Sequence, residues 1–150
     1  MNDDDAFEQA GLGKAEWPFF WITQTAHRYT QVMEARLKTI GVDPTYWRVM
    51  TALDEGKRLS VSEIAAQCIL KPNTATKIVH RMLAEGLVET GERAGDARVT
   101  EVMLTAEGDA LAAKARVVAD AVYAQAFAGL SQDERLVLDM LLERVFNRLG

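Results

Sequence analysis

The chain has 150 residues, a formal net charge of −5, 49% hydrophobic and 26% charged residues, the profile of one soluble globular domain with its own core. No apolar run approaches the roughly 20 residues that span a bilayer, and the acidic start, Met1-Asn2-Asp3-Asp4-Asp5, has neither part of a signal peptide, so a cytoplasmic protein without membrane contact is expected. Cys68 is the only cysteine and His27 and His80 the only histidines, which excludes an internal disulfide and thins the ligand set for zinc; neither a metal nor a cofactor is expected.

Residues 1–13 are acidic, then glycine-containing, and are expected to fray. Phe19, Ile22, Ala26, Tyr29, Met33, Leu37 and Ile40 recur at helical spacing, which predicts a helix from about Glu16 to Ile40, ended by Gly41. Asp43 can cap a second helix and Pro44 can open it. Tyr46, Val49, Met50 and Leu53 form its buried stripe, and Gly56 stops it. Ser60 and Glu63 have the spacing of a capping box before a short helix, about Val61 to Gln67. Pro72 begins the next, to Glu85, with Ala75, Ile78, Val79 and Met82 inside and Gly86 beyond its end. Two short helices joined by a tight link, Cys68 to Lys71, suggest a helix-turn-helix.

Past Gly86 the pattern changes. "LVET" and "VTEVML" are β-branched and alternating, so they predict two strands. The polar link "GERAGDAR" predicts a hairpin with an extended tip, and a hairpin in this position is a wing. Thr105 caps a long helix from about Ala106 to Phe127, which Gly129 breaks. Ser131 and Glu134 set a second capping box before a last helix to about Leu149. The fold class is therefore mainly α, an α+β winged helix-turn-helix ordered helix, helix, helix, helix, strand, strand, helix, helix. It forms a single domain over 1–150, with the winged helix-turn-helix at about 44–104 and dimerisation helices at about 14–40 and 106–149.

Between Lys57 and Thr100 stand seven Lys/Arg against five Asp/Glu, so the rest of the chain carries −7. The helix from Pro72 opposes its apolar stripe with Asn73, Thr74, Lys77, His80 and Arg81, with Thr76 near the edge. Such side chains suit a major groove, where some read base edges and others clamp phosphates. The wing tip carries Arg93 and Arg98, with Asp96 placed to orient an arginine that enters a minor groove. The plainer alternatives are a solvent-facing helix side and a surface ion pair.

The last helix carries Leu136, Val137, Leu138, Met140, Leu141, Leu142, Val145, Phe146 and Leu149, too many apolar residues for one packed side. A self-association surface explains this, and a larger internal core is the alternative. Two recognition helices about 34 Å apart would match one DNA turn.

The run Asn73-Thr74-Ala75-Thr76-Lys77, then "EGLVE", Asp96-Ala97-Arg98 and Leu104-Thr105-Ala106-Glu107-Gly108, in that order and spacing, resembles the multiple antibiotic resistance regulator (MarR) family. The resemblance covers nearly the whole chain. It implies a homodimer that grips the two halves of a palindromic site on double-stranded DNA, and it places the wing motif on Asp96 and Arg98. Two positions depart from the family pattern: Ala97, often an arginine there, and Arg93, often acidic. The resemblance also implies a small ligand, often an aromatic or phenolic acid, between the dimer helices and the winged helix. Trp17, Trp21 and Arg28 on a second stripe of the first helix, His27 nearby, and Trp47 and Arg48 on the next helix would suit a planar anion; core or dimer packing is the alternative for each. Cys68 lies among apolar residues and reads as a buried, inert thiol.

A ligand-responsive DNA-binding repressor is thus expected. The other reading is a winged-helix protein-interaction module that does not touch DNA. An enzyme is not expected, since no nucleophile–base pairing, phosphate loop or metal cluster is legible.

Overall fold

All three prolines of the chain open a helix. Pro18, Pro44 and Pro72 stand at first helical positions, where the missing N–H would have had no partner. The computed structural model describes Gly13 and residues 16–150; the segment expected to fray lies, Gly13 apart, outside the described residues. The helices are α1 (Pro18–Thr39), α2 (Pro44–Ala52), α3 (Val61–Gln67), α4 (Pro72–Ala84), α5 (Ala106–Ala126) and α6 (Gln132–Leu149). A short 3-10 turn, Asp54–Gly56, follows α2, and the strands β1 (Val88–Arg93) and β2 (Asp96–Leu104) separate α4 from α5. No helix among the described residues is long and apolar enough to cross a membrane.

The ends of the helices are chemically specified. Asp43, Ser60, Thr105 and Ser131 each accept a backbone N–H at the start of α2, α3, α5 and α6. At Ser131 the reciprocal bond from Glu134 completes a capping box. At Ser60 it does not form, because Glu63 takes the Ser60 hydroxyl and Arg93 instead. Gly86 (φ 72°) turns the chain out of α4: its N–H reaches the Leu83 carbonyl at 3.1 Å while Leu87 N–H reaches Met82 at 2.9 Å, a Schellman ending.

The core lies where the winged helix meets the two long helices. Leu37, Val49, Met50, Leu53, Ile64, Val79, Met82 and Val102 are wholly or almost wholly buried in it. Each such side chain stabilises by about 1.5–3 kcal/mol over its exposed state. α5 packs on α1 and α2 and contributes small buried residues, Ala115 and Val122. The hairpin is antiparallel, with Val88 opposite Leu104 and Gly91 opposite Glu101. Leu59 exchanges backbone bonds with Val102 at 3.1 and 2.7 Å, which ties the far edge of β2 to the segment before α3.

The wing tip differs from the expected extended link. Pairing continues to Arg93 and Asp96, with a register shift between Glu92 and Arg93, so that only Ala94 and Gly95 (φ 87°) form the turn. At the wing's base, Thr105 donates to the Gly86 carbonyl at 2.6 Å and accepts from Gly108 N–H at 3.1 Å. Gly108 is held against the Leu87 carbonyl so closely that a Cβ would lie 2.0 Å from its oxygen. Gly108→Ala is therefore expected to cost about 2 kcal/mol or more through forced separation of α5 from the wing. A thermal-unfolding midpoint unchanged by the substitution would contradict this packing.

Candidate nucleic-acid interface

α4 is two-faced. Ala75, Ile78, Val79 and Met82 are buried, while Asn73, Thr74, Lys77, His80 and Arg81 are exposed. Thr76 is half-buried, and its hydroxyl donates back to the Pro72 carbonyl at 3.0 Å. The cap position of α4 is Lys71, which makes no side-chain cap bond. The first-turn N–H groups of Asn73 and Thr74 therefore face outward with no side-chain cap, next to lysine, an arrangement that suits a phosphate oxygen.

The wing presents one fully projecting cation. Arg98 Nε donates to Asp96 Oδ1 at 3.0 Å, Nη2 lies 3.4 Å from Oδ2, and Arg98 N–H reaches Oδ1 at 3.2 Å. The Arg98 side chain is nonetheless 91% exposed. Such a pair adds little stability in water; its consequence is a guanidinium held in one orientation at the rim of the hairpin. The bonds from Arg98 hold the Asp96 carboxyl below its ordinary range.

Two arginines of the expected interface also make contacts within the chain, Arg81 while remaining exposed. Arg81 lies 5.2 Å above the Tyr46 ring and 3.5 Å from Asp43. Burial works against ionisation of Asp43, but bonds from Thr45 and the charge of Arg81 outweigh it and hold its carboxyl low. Arg93 turns back from the tip: Nε donates to Glu101 at 3.0 Å and Nη2 to Glu63 on α3. The bond from Arg93 is the main cause of a lowered Glu63 carboxyl. Glu101 is only 8% exposed and has Arg58 as a second neighbour, at 3.7 Å. Sequence reading missed Arg58 and Glu101, and saw Glu63 only as a capping residue. The alternation of "VTEVML" gave no signal for Glu101, because period 2 puts it on the face opposite buried Val102; it is covered there by Arg93 and Arg58.

The aromatic set on α1 and α2 does not form one cluster. Trp21 and Arg28 line a cavity of about 380 Å³ with Thr25, Tyr29, Val32, Val122 and Gln125, between α1 and α5. Trp47 and Arg48 line another, about 370 Å³, with Thr51, Gln67, Cys68 and Ile69. Trp47 also borders a third, about 250 Å³, with Arg116, Val122 and Phe127. Tyr29, read in the sequence as part of the core stripe and not as a ligand candidate, borders all three; Trp17 and His27 border none of them. Arg48 donates to the Cys68 carbonyl, and the Cys68 thiol lies 3.3 Å from the Arg48 carbonyl oxygen. Burial pushes that thiol up despite the nearby guanidinium, which disfavours the reactive thiolate.

No residue of α6 is buried. Leu136, Met140, Phe146 and Leu149 are all more than half exposed, so the surplus of apolar residues is not used in this chain's own core.

Comparison with known proteins places this architecture. A sequence model of the MarR family matches residues 40–99. The HTH-type transcriptional repressor IacR of Pseudomonas putida is 39% identical over 136 residues, 91% of this chain and 81% of that protein. A MarR-family transcriptional regulator from Silicibacter pomeroyi superposes with a TM-score of 0.84 at 18% identity, over 94% of this chain and 95% of that one. BpsR of Bordetella bronchiseptica, whose DNA binding is regulated by 6-hydroxynicotinic acid, superposes at 0.74 with 20% identity, over 89% and 95% of the two chains. With a helix-turn-helix, a paired hairpin wing and flanking long helices in the family's order, the chain belongs to the MarR family of DNA-binding transcriptional regulators.

Proposed function

We propose that the protein is a homodimeric repressor that binds a palindromic operator and is released by a small aromatic acid. The observation that carries this reading is the two-faced α4: its apolar side is locked in the core, so its polar, cationic side has no other place than the surface. Asn73, Thr74, Thr76, Lys77 and His80 enter the major groove, with Arg81 at the far end of the same face. Arg98, oriented by Asp96, enters the adjacent minor groove, where the potential is most negative. Residues 44–104 form the DNA-binding unit, and 14–40 with 106–149 form the dimer.

The apolar surface of α6 supports the dimer, since exposed stripes of this kind mark association surfaces. The cavities beside α1 and α5 support the ligand. Both are partly walled by helices assigned to the dimer, so an occupant can favour one spacing of the two DNA-binding units over another. Its effect on DNA affinity equals its difference in affinity for the two arrangements. A planar anion suits Trp21, Tyr29 and Arg28, and the aromatic acid that regulates BpsR is of that chemical kind.

Selection of bound sequences from random duplexes tests the function: a two-fold-symmetric consensus is expected, and failure to enrich any duplex overturns it. Arg98→Ala is expected to weaken operator binding by about 1–3 kcal/mol with the dimer intact, and unchanged affinity at fixed salt would remove the wing from the interface. Lys77→Ala is expected to lower the salt slope by about one, as for a lost phosphate contact. Leu142→Asp combined with Phe146→Asp is expected to give monomers in sedimentation; an undiminished dimer would place the association surface elsewhere. In thermal-shift titrations with 6-hydroxynicotinic acid and benzoate, Arg28→Ala is expected to lose any stabilisation seen in the wild type, and retention of the full shift would move the ligand to another cavity.

A further inference from the structure

Glu101 sets an electrostatic requirement on the wing. Its side chain is 10% exposed, and a carboxylate so placed needs cations or donors close by. Arg93 supplies Nε at 3.0 Å, and Arg58 stands at 3.7 Å. The same Arg93 guanidinium donates through Nη2 to Glu63. One planar group therefore bridges two carboxylates on different elements, β2 of the wing and the first turn of α3, a geometry that suits arginine and not lysine.

The backbone is fitted to this arrangement. Gly91 lies opposite Glu101, and a Cβ there would come within 3.0 Å of Arg58 Nη2. The Arg58 guanidinium thus lies over this position. The register shift falls between Glu92 and Arg93, so the strand changes its course at the residue that makes the bridge. Beyond it lie only the two-residue turn and Asp96, followed by Ala97 and Arg98.

We propose that Arg93 is a positioning residue rather than a DNA contact: through Glu101 and Glu63 it fastens the wing to α3 and so fixes where Arg98 is presented to the duplex. This rests on the DNA-binding reading of the wing. Were Arg93 to swing to a phosphate, Glu101 would keep only the more distant Arg58, and Glu63 would be left without its cation. The bridge holds Arg93 back from the groove and leaves Arg98 as the projecting charge.

Glu63→Gln separates the two roles, because it removes a negative charge near the duplex while keeping the side chain's shape. If Arg93 touched DNA, that change would free it and binding would hold or tighten. As a positioning residue, its loss of a partner weakens binding. Arg93→Lys keeps a charge for a phosphate but cannot span both carboxylates. Affinity for the duplex recovered by selection, measured across salt concentrations, is expected to fall about fivefold in Glu63→Gln, Arg93→Lys and Arg93→Ala, with the wild-type salt slope. Amide hydrogen exchange over residues 93–98 in the protein alone is expected to speed up about tenfold in the same variants. Unaltered exchange in Glu63→Gln overturns the proposal whether or not DNA is bound. Equal or tighter binding by Glu63→Gln, with a slope reduced by about one in Arg93→Ala, overturns it in favour of a direct contact. Failure of the wild type to bind any duplex removes the DNA-binding reading instead, and the exchange rates still decide whether the bridge holds the wing.

Discussion

Four inward side chains of α4 govern the rest of the molecule. Ala75, Ile78, Val79 and Met82 are buried between α2, α3 and the wing base, so the helix cannot rotate without withdrawing apolar area from the core. Each of the larger three contributes on the order of 1.5–3 kcal/mol by burial, more than any outward polar residue could recover by turning in. The polar side of α4 is therefore fixed outward before any partner arrives. The Schellman ending at Gly86 then aims the chain directly into β1, and the wing emerges beside the helix. Helix and hairpin form one surface because the Thr105–Gly86 bond and the close approach at Gly108 leave little freedom between them.

A net charge of −5 and a DNA-binding role are compatible because electrostatic attraction depends on where charge lies. Lys71, Lys77 and Arg98 are exposed on the α4–wing side, and other cations in the same stretch are held by carboxylates: Arg93 by Glu63 and Glu101, Arg81 by Asp43. Selective neutralisation of this kind shapes the field more than a count of cations suggests. On the proposed reading it also divides labour between arginines five residues apart, Arg93 bracing the wing and Arg98 projecting from it. At the other end of the molecule α6 carries its apolar residues outward, and α5 offers small ones. In the proposed dimer, a second copy covering this face would also set the distance between two DNA-binding surfaces, and the same helices would be the ones a ligand uses to change that distance.

Much of the fold was legible in the sequence because its signals are local. Pro44 and Pro72 open helices, Gly41 and Gly86 close them, and Ser131 with Glu134 forms the capping box its spacing suggests. The periodicity of α4 alone separates its buried from its exposed side. Features set by distant partners were not legible. Gly91 reads as a loop residue in isolation, yet it is a strand position whose face is crossed by the Arg58 guanidinium. Arg93 reads as a tip cation, but its direction is decided by Glu63, thirty residues earlier in the chain. Arg48 reads as a cavity cation, and its guanidinium bonds the Cys68 carbonyl twenty residues on. The aromatic stripe of α1 says which residues share a side and nothing of what faces them, so one expected cluster resolves into separate cavities around Tyr29.

Hydroxyl-radical footprinting of the bound duplex tests the central claim most directly, since it reads the geometry of two symmetric surfaces at once. Two protected patches on the same side of the duplex, centred about one helical turn or 34 Å apart, are the predicted result. A single patch, or two on opposite sides of the duplex, would contradict a symmetric pair of α4–wing surfaces.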